Sequence, residues 1–298
     1  MIKADNAVIL AGGAGARFAP LSYEKPKGLI EVKGEPMIER QIRQLKEAGI
    51  KQIYLVTGYK QEQLNYLAKK EGVDLIANPG YAMQNSAASI WLARDVIKNS
   101  FICAADNYFL HNPFKQGLED QGSYYAAQYS PGPSSEWGVK LDEAGFIKQV
   151  TIGTRASWYL LGHAFWTEDF ARRFFEILSK ERTKAQTHAK FWEEILAENL
   201  DQLKMRLAKF PAGVIQEFDS LDDLRQFDHS YVNDSRSRIL KKCAKRLGTK
   251  ESCLDRIKAI KGRGNEAIGF HFRYNGQIFC YLYQLGEIIK CRRLGHPY

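Results

Sequence analysis

The chain has few cysteines, and their spacing forms no framework. It contains five among 298 residues, with no C-x-x-C pair. An odd number without paired spacing excludes a scaffold built on disulfide bonds or on a cysteine-bound zinc ion. A chain of this length must instead bury a sizeable hydrophobic core, and we expect it to work in a reducing cytoplasm.

Long apolar runs are also missing. No stretch approaches the ~20 apolar residues that span a bilayer, and the apolar run at residues 8–10 is too short for the centre of a signal peptide. Hydrophobic residues nevertheless make up 45% of the chain and aromatic residues 12%, which is typical of a globular fold. The sequence predicts no insertion into a membrane.

Negative charge is scarce in only one part of the chain. Residues 229–298 contain 15 Lys and Arg against 5 Asp and Glu, whereas residues 1–228 contain 28 against 29. The net charge of +9 therefore belongs to the C-terminal segment. We predict a boundary there, between one domain over 1–228 and a basic appendage over 229–298.

A glycine-rich stretch near the N-terminus is the most informative part of the sequence. An apolar run of strand length leads into L-A-G-G-A-G-A-R at residues 10–17, and K-P-K follows at 25–27. Backbone N–H groups of such a loop can surround phosphate oxygens closely because few side chains intervene. Arg17 can bind those oxygens with both arms of its guanidinium group, and Lys27 can add a point charge. The alternative is a tight turn between a strand and a helix.

Strands and helices alternate along the first third of the chain. We expect short buried strands at 52–57, 75–76 and 100–104 and helices at 37–48, 61–70 and 87–95. Such alternation predicts an α/β fold with a Rossmann-like, mixed but mostly parallel sheet flanked by helices. Ligands of these sheets bind at the carboxyl ends of the strands. Asp106 follows one of those strands and is a candidate Mg²⁺ ligand, with an Asx turn or a helix cap as the alternative.

The second half of the first domain has weaker signals. The pattern predicts a hinge-like loop at 131–135, a hairpin turn at 142–145 and helices at 169–179 and 187–198.

Six motifs occur together: L-A-G-G-A-G-A-R, K-P-K, A-A-D-N, S-E-W, F-W-E-E and E-F-D-S. In this order and rough spacing they resemble the bacterial phosphocholine cytidylyltransferases. Those enzymes are relatives of the 2-aminoethylphosphonate and inositol-phosphate cytidylyltransferases, within the MobA-like and sugar nucleotidyltransferase superfamily. The resemblance covers about residues 5–228.

The resemblance implies a Mg²⁺-dependent cytidylyltransferase. An oxygen of a phosphate or phosphonate would attack the α-phosphorus of CTP and release pyrophosphate, a reaction that needs positioning and charge neutralisation. The implied catalytic residues are Arg17, Lys27, Asp106 and Asp219, and the two aspartates would hold Mg²⁺ between them. The implied nucleotide-binding residues are Leu10, Ala11, Gly12, Gly13, Ala14, Gly15, Tyr81, Gln84, Asn85 and Ser89. Helix capping is the alternative for Asn85, and CTP is preferred over UTP on the resemblance alone.

The acceptor pocket decides the substrate. A quaternary ammonium group has no N–H donors, so aromatic faces bind it at roughly 0.5–2 kcal/mol each, with help from a carboxylate. The candidates are Glu136, Trp137, Tyr159, Phe191 and Trp192, and the alternative is that such aromatic residues belong to the core, one of the adjacent pair facing inward. In the phosphocholine enzymes an acidic residue precedes the pair, where this chain has Ala189 and Lys190. Phosphocholine is preferred on the resemblance, but this departure leaves phosphoethanolamine and 2-aminoethylphosphonate open, whose primary amines would need hydrogen-bond acceptors.

The basic appendage has a weaker resemblance to the start of a choline-kinase N-lobe. A helix, I-K-A-I-K-G at 257–262, a hairpin around Asn275-Gly276 and L-G-E follow one another, and residues 251–260 are typical of a second helix. The lobe would be truncated and lacks a catalytic loop downstream, so we expect no kinase activity. Docking or oligomerisation is the expected role.

The predicted partners are CTP and a phospho- or phosphono-amino-alcohol. Nucleic acid is not expected, and the sequence leaves the oligomeric state open, including a homo-oligomer. One alternative is a sugar-1-phosphate nucleotidyltransferase, which would need polar groups where this chain has Trp137 and Phe191. A non-catalytic RNA-binding or regulatory protein on the same fold is the other, and the joint presence of the four catalytic candidates argues against it.

Overall fold

The computed structural model of the protein describes residues 2–262 and 266–291. The described chain divides into two compact units. Unit 1 comprises the residues up to Gly12 together with Ile38–Glu217, and unit 2 comprises Gly13–Met37 together with the residues from Phe218 onward. Compactness does not define a domain boundary, and the predicted boundary at 228 stays a prediction.

The helices and strands follow one another in an α/β order along most of the chain. The α-helices are α1 (Leu21–Glu24), α2 (Met37–Glu47), α3 (Tyr66–Glu71), α4 (Ser86–Leu92), α5 (Glu168–Glu181), α6 (Trp192–Glu198), α7 (Leu221–Phe227), α8 (Ser230–Asn233) and α9 (Arg238–Arg246). The strands are β1 (Asn6–Ala11), β2 (Glu31–Val32), β3 (Glu35–Pro36), β4 (Ile53–Thr57), β5 (Asp74–Ala77), β6 (Ser100–Ala104), β7 (Asn107–Phe109), β8 (Tyr124–Leu141), β9 (Ile147–Trp166), β10 (Arg206–Lys209), β11 (Ile215–Glu217), β12 (Asp255–Lys261), β13 (Ala267–Tyr274), β14 (Gln277–Leu282) and β15 (Glu287–Cys291). No helix among the described residues is long and apolar enough to cross a bilayer.

Unit 1 is built on a seven-stranded sheet in the order β10-β8-β9-β6-β1-β4-β5. Strand β1 lies between β6 and β4 and is parallel to both, whereas β9 runs antiparallel to β6 and β8. The predicted mixed, mostly parallel sheet is confirmed. Because parallel strands end at the same edge, the chain leaving β1, β4 and β6 forms one rim of the sheet.

Helix α2 shows why the early elements were predictable. Ile38, Ile42 and Leu45 recur at helical spacing and are fully buried, while charged residues occupy the other face. Gly49, with φ of +88°, ends the turn that follows the helix.

Two predicted helices are shorter than expected. The helix predicted at 61–70 divides into a 3₁₀ turn at Gln61–Gln63 and α3. The helix predicted at 187–198 divides into a 3₁₀ turn at Ala185–Ala189 and α6, with Phe191 as the N-cap residue of α6.

The hinge-like loop predicted at 131–135 is wrong, because these residues lie inside the long strand β8. The register of β8 against β9 shifts between Ser130 and Pro133 and again between Ser134 and Trp137. Proline has no N–H to donate to a ladder, and such irregular positions are where a strand tolerates it. The Pro-Gly-Pro pattern therefore marks an irregular strand.

Unit 2 contains a four-stranded antiparallel sheet in the order β12-β13-β14-β15. The predicted hairpin is confirmed, since Tyr274 pairs with Gln277 around Asn275 and Gly276, both at positive φ. The helix predicted at 251–260 is wrong, because most of that stretch is β12. A register shift between Asp255 and Lys258 lets Ile257 and Ile260 both be buried, so an irregular strand imitates helical spacing.

Candidate functional site

In unit 1, the glycine-rich loop leaves β1 beside the end of β4. The backbone N–H of Tyr59 donates a hydrogen bond to the Gly12 carbonyl at 3.0 Å. A Cβ atom added to Gly58 would lie 2.7 Å from the Gly12 carbonyl oxygen and 2.7 Å from Cβ of Tyr81. Gly58 thus permits the close approach of two segments that carry predicted nucleotide-binding residues. The sequence analysis missed it, although a glycine directly after a buried strand was a usable signal.

In unit 2, the rest of the loop packs on Lys27. Gly15 adopts the left-handed conformation with φ of +57°, and an added Cβ would lie 3.1 Å from Cβ of Lys27. The backbone N–H of Phe18 donates to the Gly15 carbonyl at 2.9 Å and begins a 3₁₀ turn that carries Arg17. Glycine is needed at position 15 for both its conformation and this contact.

Three predicted catalytic residues meet in unit 2. Nη1 of Arg17 lies 2.6 Å from Oδ2 of Asp219, and Nζ of Lys27 lies 3.8 Å from Oδ1 of the same carboxylate. The side chain of Arg17 is 60% exposed and that of Lys27 only 10%. Two cations therefore converge on one carboxylate, whose Oδ1 is buried without a hydrogen-bond donor.

Asp106 lies in unit 1, on the turn between β6 and β7. Nε2 of Gln41, on α2, donates to the carbonyl oxygens of Ala104 at 2.9 Å and Asn107 at 2.8 Å, on either side of this turn. The backbone N–H of Ala105 donates to the Leu10 carbonyl at 3.1 Å and ties the turn to β1. Asp106 and Asp219 belong to different units, and their pairing around a metal stays a prediction.

Among residues 2–262 and 266–291, no three His, Cys, Asp or Glu side chains are grouped closely enough to form a metal site. Mg²⁺ does not require such a group, because proteins hold it with one or two carboxylates together with substrate phosphates and water.

The predicted nucleotide-reading residues surround the start of α4. Nδ2 of the buried Asn78 donates to Oγ of Ser89 at 3.2 Å, and its Oδ1 accepts from the N–H of Gly80 at 2.9 Å. Asn85 occupies the N-cap position of α4, but its side chain caps no backbone N–H. Gln84 lines a cavity of about 430 Å³ with Asn78, Gly80 and Trp91, whereas Tyr81, Asn85 and Ser89 do not line it.

Phe191 and Trp192 face opposite ways. Phe191 is 44% exposed and contacts the ring of Trp137 edge-on, with centroids 6.3 Å apart. Trp192 is 3% exposed and stacks on Tyr125 at 5.0 Å within the core. Helix α6 begins between the two residues, which sends their rings in different directions. We therefore assign Trp192 to core packing and keep Phe191 and Trp137 as acceptor candidates.

Two glutamates act electrostatically on the phenol of Tyr159. The register places Tyr159 opposite Gly138, next to Trp137. Burial raises the pKa of Tyr159, and the charges of Glu136 and Glu217 raise it further. Negative charge therefore accompanies the aromatic rings, as a cationic ligand requires. Glu217 was not among the predicted residues.

Two further charged groups lie near the aromatic pair. Glu193 is partly buried and accepts a hydrogen bond from the Tyr125 hydroxyl at 2.8 Å, and its removal from solvent raises its pKa to about 7. Nζ of Lys190 pairs with Glu198 at 2.6 Å. Lys190 stands where the resemblance places an acidic residue, and the carboxylate of Glu198 on α6 neutralises its charge. The sequence analysis missed Glu193 because a glutamate on a short helix is typical of a solvated face.

Comparisons with known proteins cover most of the chain. The family model of the MobA-like NTP transferase domain matches residues 7–138. The chain is 31% identical to the choline-phosphate cytidylyltransferase of Streptococcus pneumoniae over 230 residues, which are 77% of this chain and 100% of that protein. It is 32% identical to the 2-aminoethylphosphonate cytidylyltransferase of Lancefieldella rimae, over 76% of this chain and 93% of that protein. A solved structure of a CTP:phosphocholine cytidylyltransferase from Streptococcus pneumoniae superimposes with a TM-score of 0.71, at 31% identity over 76% of this chain and 98% of that one.

Proposed function

We propose that this chain, which belongs to the family of bacterial choline-phosphate and 2-aminoethylphosphonate cytidylyltransferases, transfers the CMP group of CTP to a phosphorylated amino-alcohol. The family and the nucleotidyltransferase class predicted from the six motifs are confirmed. In the reaction, an acceptor oxygen bonds to the α-phosphorus of CTP while the bond to the β-phosphate breaks and pyrophosphate leaves. No covalent enzyme intermediate is needed. The proposal includes a cytoplasmic location, which the five free cysteines support.

The observation that carries the proposal is the cluster of Arg17, Lys27 and Asp219 next to Gly15. Arg17 is exposed enough to bind the β- and γ-phosphates, and a guanidinium group suits phosphate oxygens in a bidentate way. Lys27 is held by packing, so its ammonium group is positioned before substrate binds. It would neutralise charge at the α-phosphate or at the acceptor phosphate.

Asp106 and Asp219 are the residues that would hold Mg²⁺. The buried Oδ1 of Asp219, which accepts no hydrogen bond, fits a metal ligand. When bound, the ion would neutralise the negative charge of the phosphates.

The acceptor proposed here is phosphocholine. Trp137 and Phe191 offer ring faces, and Glu136 brings negative charge beside Tyr159. These groups bind a trimethylammonium group without hydrogen bonds. The ammonium group of Lys190 pairs with the carboxylate of Glu198, which neutralises its positive charge. The replacement of an acidic residue by Lys190 before the aromatic pair therefore does not favour an anionic acceptor.

The test is pyrophosphate release with Mg²⁺ and CTP against phosphocholine, phosphoethanolamine, 2-aminoethylphosphonate and glucose 1-phosphate. We expect turnover with phosphocholine and weaker turnover with the two primary amines. Trp137→Leu and Phe191→Leu should each raise the KM for phosphocholine about 2- to 30-fold and leave the KM for CTP unchanged, because each ring face contributes roughly 0.5–2 kcal/mol.

Phe175→Leu is the matched control, since this partly buried ring packs on Trp91 and Trp166, away from the acceptor candidates. Its KM for phosphocholine should stay at the wild-type value. Turnover with glucose 1-phosphate alone would contradict the proposed acceptor class, and no turnover with any acceptor would contradict the proposed function.

A further inference from the structure

The described part of the appendage, residues 229–262 and 266–291, contacts the segment that carries two catalytic candidates. Unit 2 joins Gly13–Met37, which contains Arg17 and Lys27, to the C-terminal residues. The relatives of known activity match only about three quarters of this chain while covering nearly all of their own length. About a quarter of this chain therefore lies outside the match to either relative.

Glu24 makes the first contact, at the N-terminus of α9. Its carboxylate accepts hydrogen bonds from the backbone N–H groups of Arg238 at 3.0 Å and Ile239 at 3.2 Å, and from Oγ of Ser237. A carboxylate at this position satisfies unpaired N–H groups and interacts favourably with the helix dipole. The side chain of Glu24 is only 11% exposed, so solvent weakens these bonds little.

Tyr23, the preceding residue, makes the second contact. Its ring stacks on that of Tyr283, with centroids 3.6 Å apart and planes inclined by 13°. Tyr283 directly follows β14, so this contact fixes the segment to the sheet of the appendage.

Glu31 makes the third contact, on the far side of Lys27. Its carboxylate pairs with Arg236 at 2.9 Å, and its backbone carbonyl accepts from the Tyr231 hydroxyl at 2.8 Å. The appendage therefore contacts the chain on both sides of Lys27, at Tyr23 and Glu24 before it and at Glu31 after it.

The chain between these contacts is short and stiff. Only Lys25 and Pro26 separate Glu24 from Lys27, and the proline ring restricts the backbone there. The 3₁₀ turn at Lys27–Leu29 follows at once. A displacement of α9 or of Tyr283 would therefore also displace the backbone at Lys27.

We infer that the appendage is part of the catalytic scaffold and that its contacts with Tyr23, Glu24 and Glu31 position Lys27 and Arg17 for phosphate binding. Tyr283 and Glu24 are positioning residues, because they act through the segment and not on substrate. The inference rests on the proposed function for its kinetic consequence. The docking or oligomerisation role expected from the sequence stays a prediction.

The experiment compares Tyr283→Ala and Glu24→Gln with the control Tyr274→Ala in the full chain. Tyr274 lies on the same sheet and contacts Phe279. We expect both test variants to lower kcat/KM for CTP about 10- to 100-fold, as small misplacements of catalytic groups do. Backbone amides of residues 13–37 should exchange hydrogen faster, while those of β1 and β4 keep their wild-type rates. The control should change neither quantity.

Equal kcat/KM and equal exchange in residues 13–37 for Tyr283→Ala and Tyr274→Ala would overturn the inference. So would a loss of protection spread evenly over both units, because that marks general destabilisation. If Tyr283→Ala does not fold, Tyr283→Leu removes the ring stacking and keeps an apolar side chain. A wild-type protein without turnover would contradict the proposed function, whereas the exchange rates of residues 13–37 still test the contacts themselves.

Discussion

Arg17 and Asp219 have different partners in the proposed reaction, phosphate for the arginine and metal for the aspartate. In the structure they bind each other at 2.6 Å. An ion pair with so exposed an arginine contributes about 0–1 kcal/mol, so phosphate oxygens can displace the carboxylate at little cost. Binding of CTP would then free the carboxylate of Asp219, the residue proposed above as a metal ligand.

The buried side chain of Gln41 supports the backbone on both sides of Asp106. Both N–H groups of its side-chain amide are engaged by the two carbonyl groups that flank the turn. We expect Gln41→Met, which keeps the volume and removes the donors, to weaken Mn²⁺ binding about 10- to 100-fold, as loss of the groups that orient a metal ligand does. The measurement is a Mn²⁺ titration by electron paramagnetic resonance, with a CTP analogue carrying a methylene bridge between its α- and β-phosphates.

Gln44→Met is the matched control for that experiment. Gln44 is on the same helix, is 3% exposed, and donates to the carbonyl of Phe109 at 3.2 Å, beyond the Asp106 turn. Both substitutions remove a buried amide, so both should lower the melting temperature by similar amounts. Equal Mn²⁺ affinity in the two variants would show that Gln41 supports only the fold.

At the scale of elements, the rim of the sheet depends on close backbone contacts. Gly58→Ala would place a methyl group 2.7 Å from the carbonyl oxygen of Gly12, and a backbone atom cannot move aside as a flexible side chain can. We expect a loss of about 1–3 kcal/mol in the free energy of unfolding and a rise in the KM for CTP, because the loop must shift. Chemical denaturation and steady-state kinetics measure the two effects.

Gly132→Ala is the control for this substitution. Gly132 lies in β8, and an added Cβ would meet nothing within 4 Å. Its stability and its KM for CTP should match the wild type. A Gly58→Ala variant that behaves like Gly132→Ala would mean that the loop does not need this close approach.

At the scale of the whole molecule, two ionisable side chains in unit 1, His163 and Glu193, give the free energy of unfolding an opposite dependence on pH. Burial lowers the pKa of His163 from 6.5 to about 3. Between about pH 6.5 and pH 3, His163 is therefore protonated in the unfolded chain and neutral in the folded protein. Burial raises the pKa of Glu193 from 4.5 to about 7, so the folded protein keeps a proton there that the unfolded chain has lost. His163 therefore destabilises the fold as pH falls, and Glu193 destabilises it as pH rises from about 4.5 to 7. Each slope is at most about 1.4 kcal/mol per pH unit.

Chemical denaturation of the wild type, His163→Leu and Glu193→Gln between pH 4 and pH 8 separates the two contributions. The free energy of unfolding of His163→Leu should improve relative to the wild type as pH falls below 6.5. That of Glu193→Gln should improve relative to the wild type as pH rises from 4.5 to 7. Parallel curves for all three proteins would mean that neither group titrates differently on folding.

The sequence by itself determined the family and the central sheet, and it supplied the charged residues that we propose for the phosphate site. These features depend on local patterns, which can be recognised along the chain. Such patterns are an apolar run for a strand, one buried stripe for a helix, and a glycine loop that ends in Arg17. Bulged strands were misread because a register shift changes the spacing of buried residues, as in β8 and β12.

Tertiary structure decided what each side chain contacts. Phe191 and Trp192 are adjacent in sequence, yet the start of α6 sends one to the surface and the other into the core. Gln41 reaches carbonyls more than sixty residues away, and the appendage holds both sides of Lys27. Such contacts depend on which distant backbone groups the packed elements bring within about 3 Å, and no spacing along the chain encodes that distance.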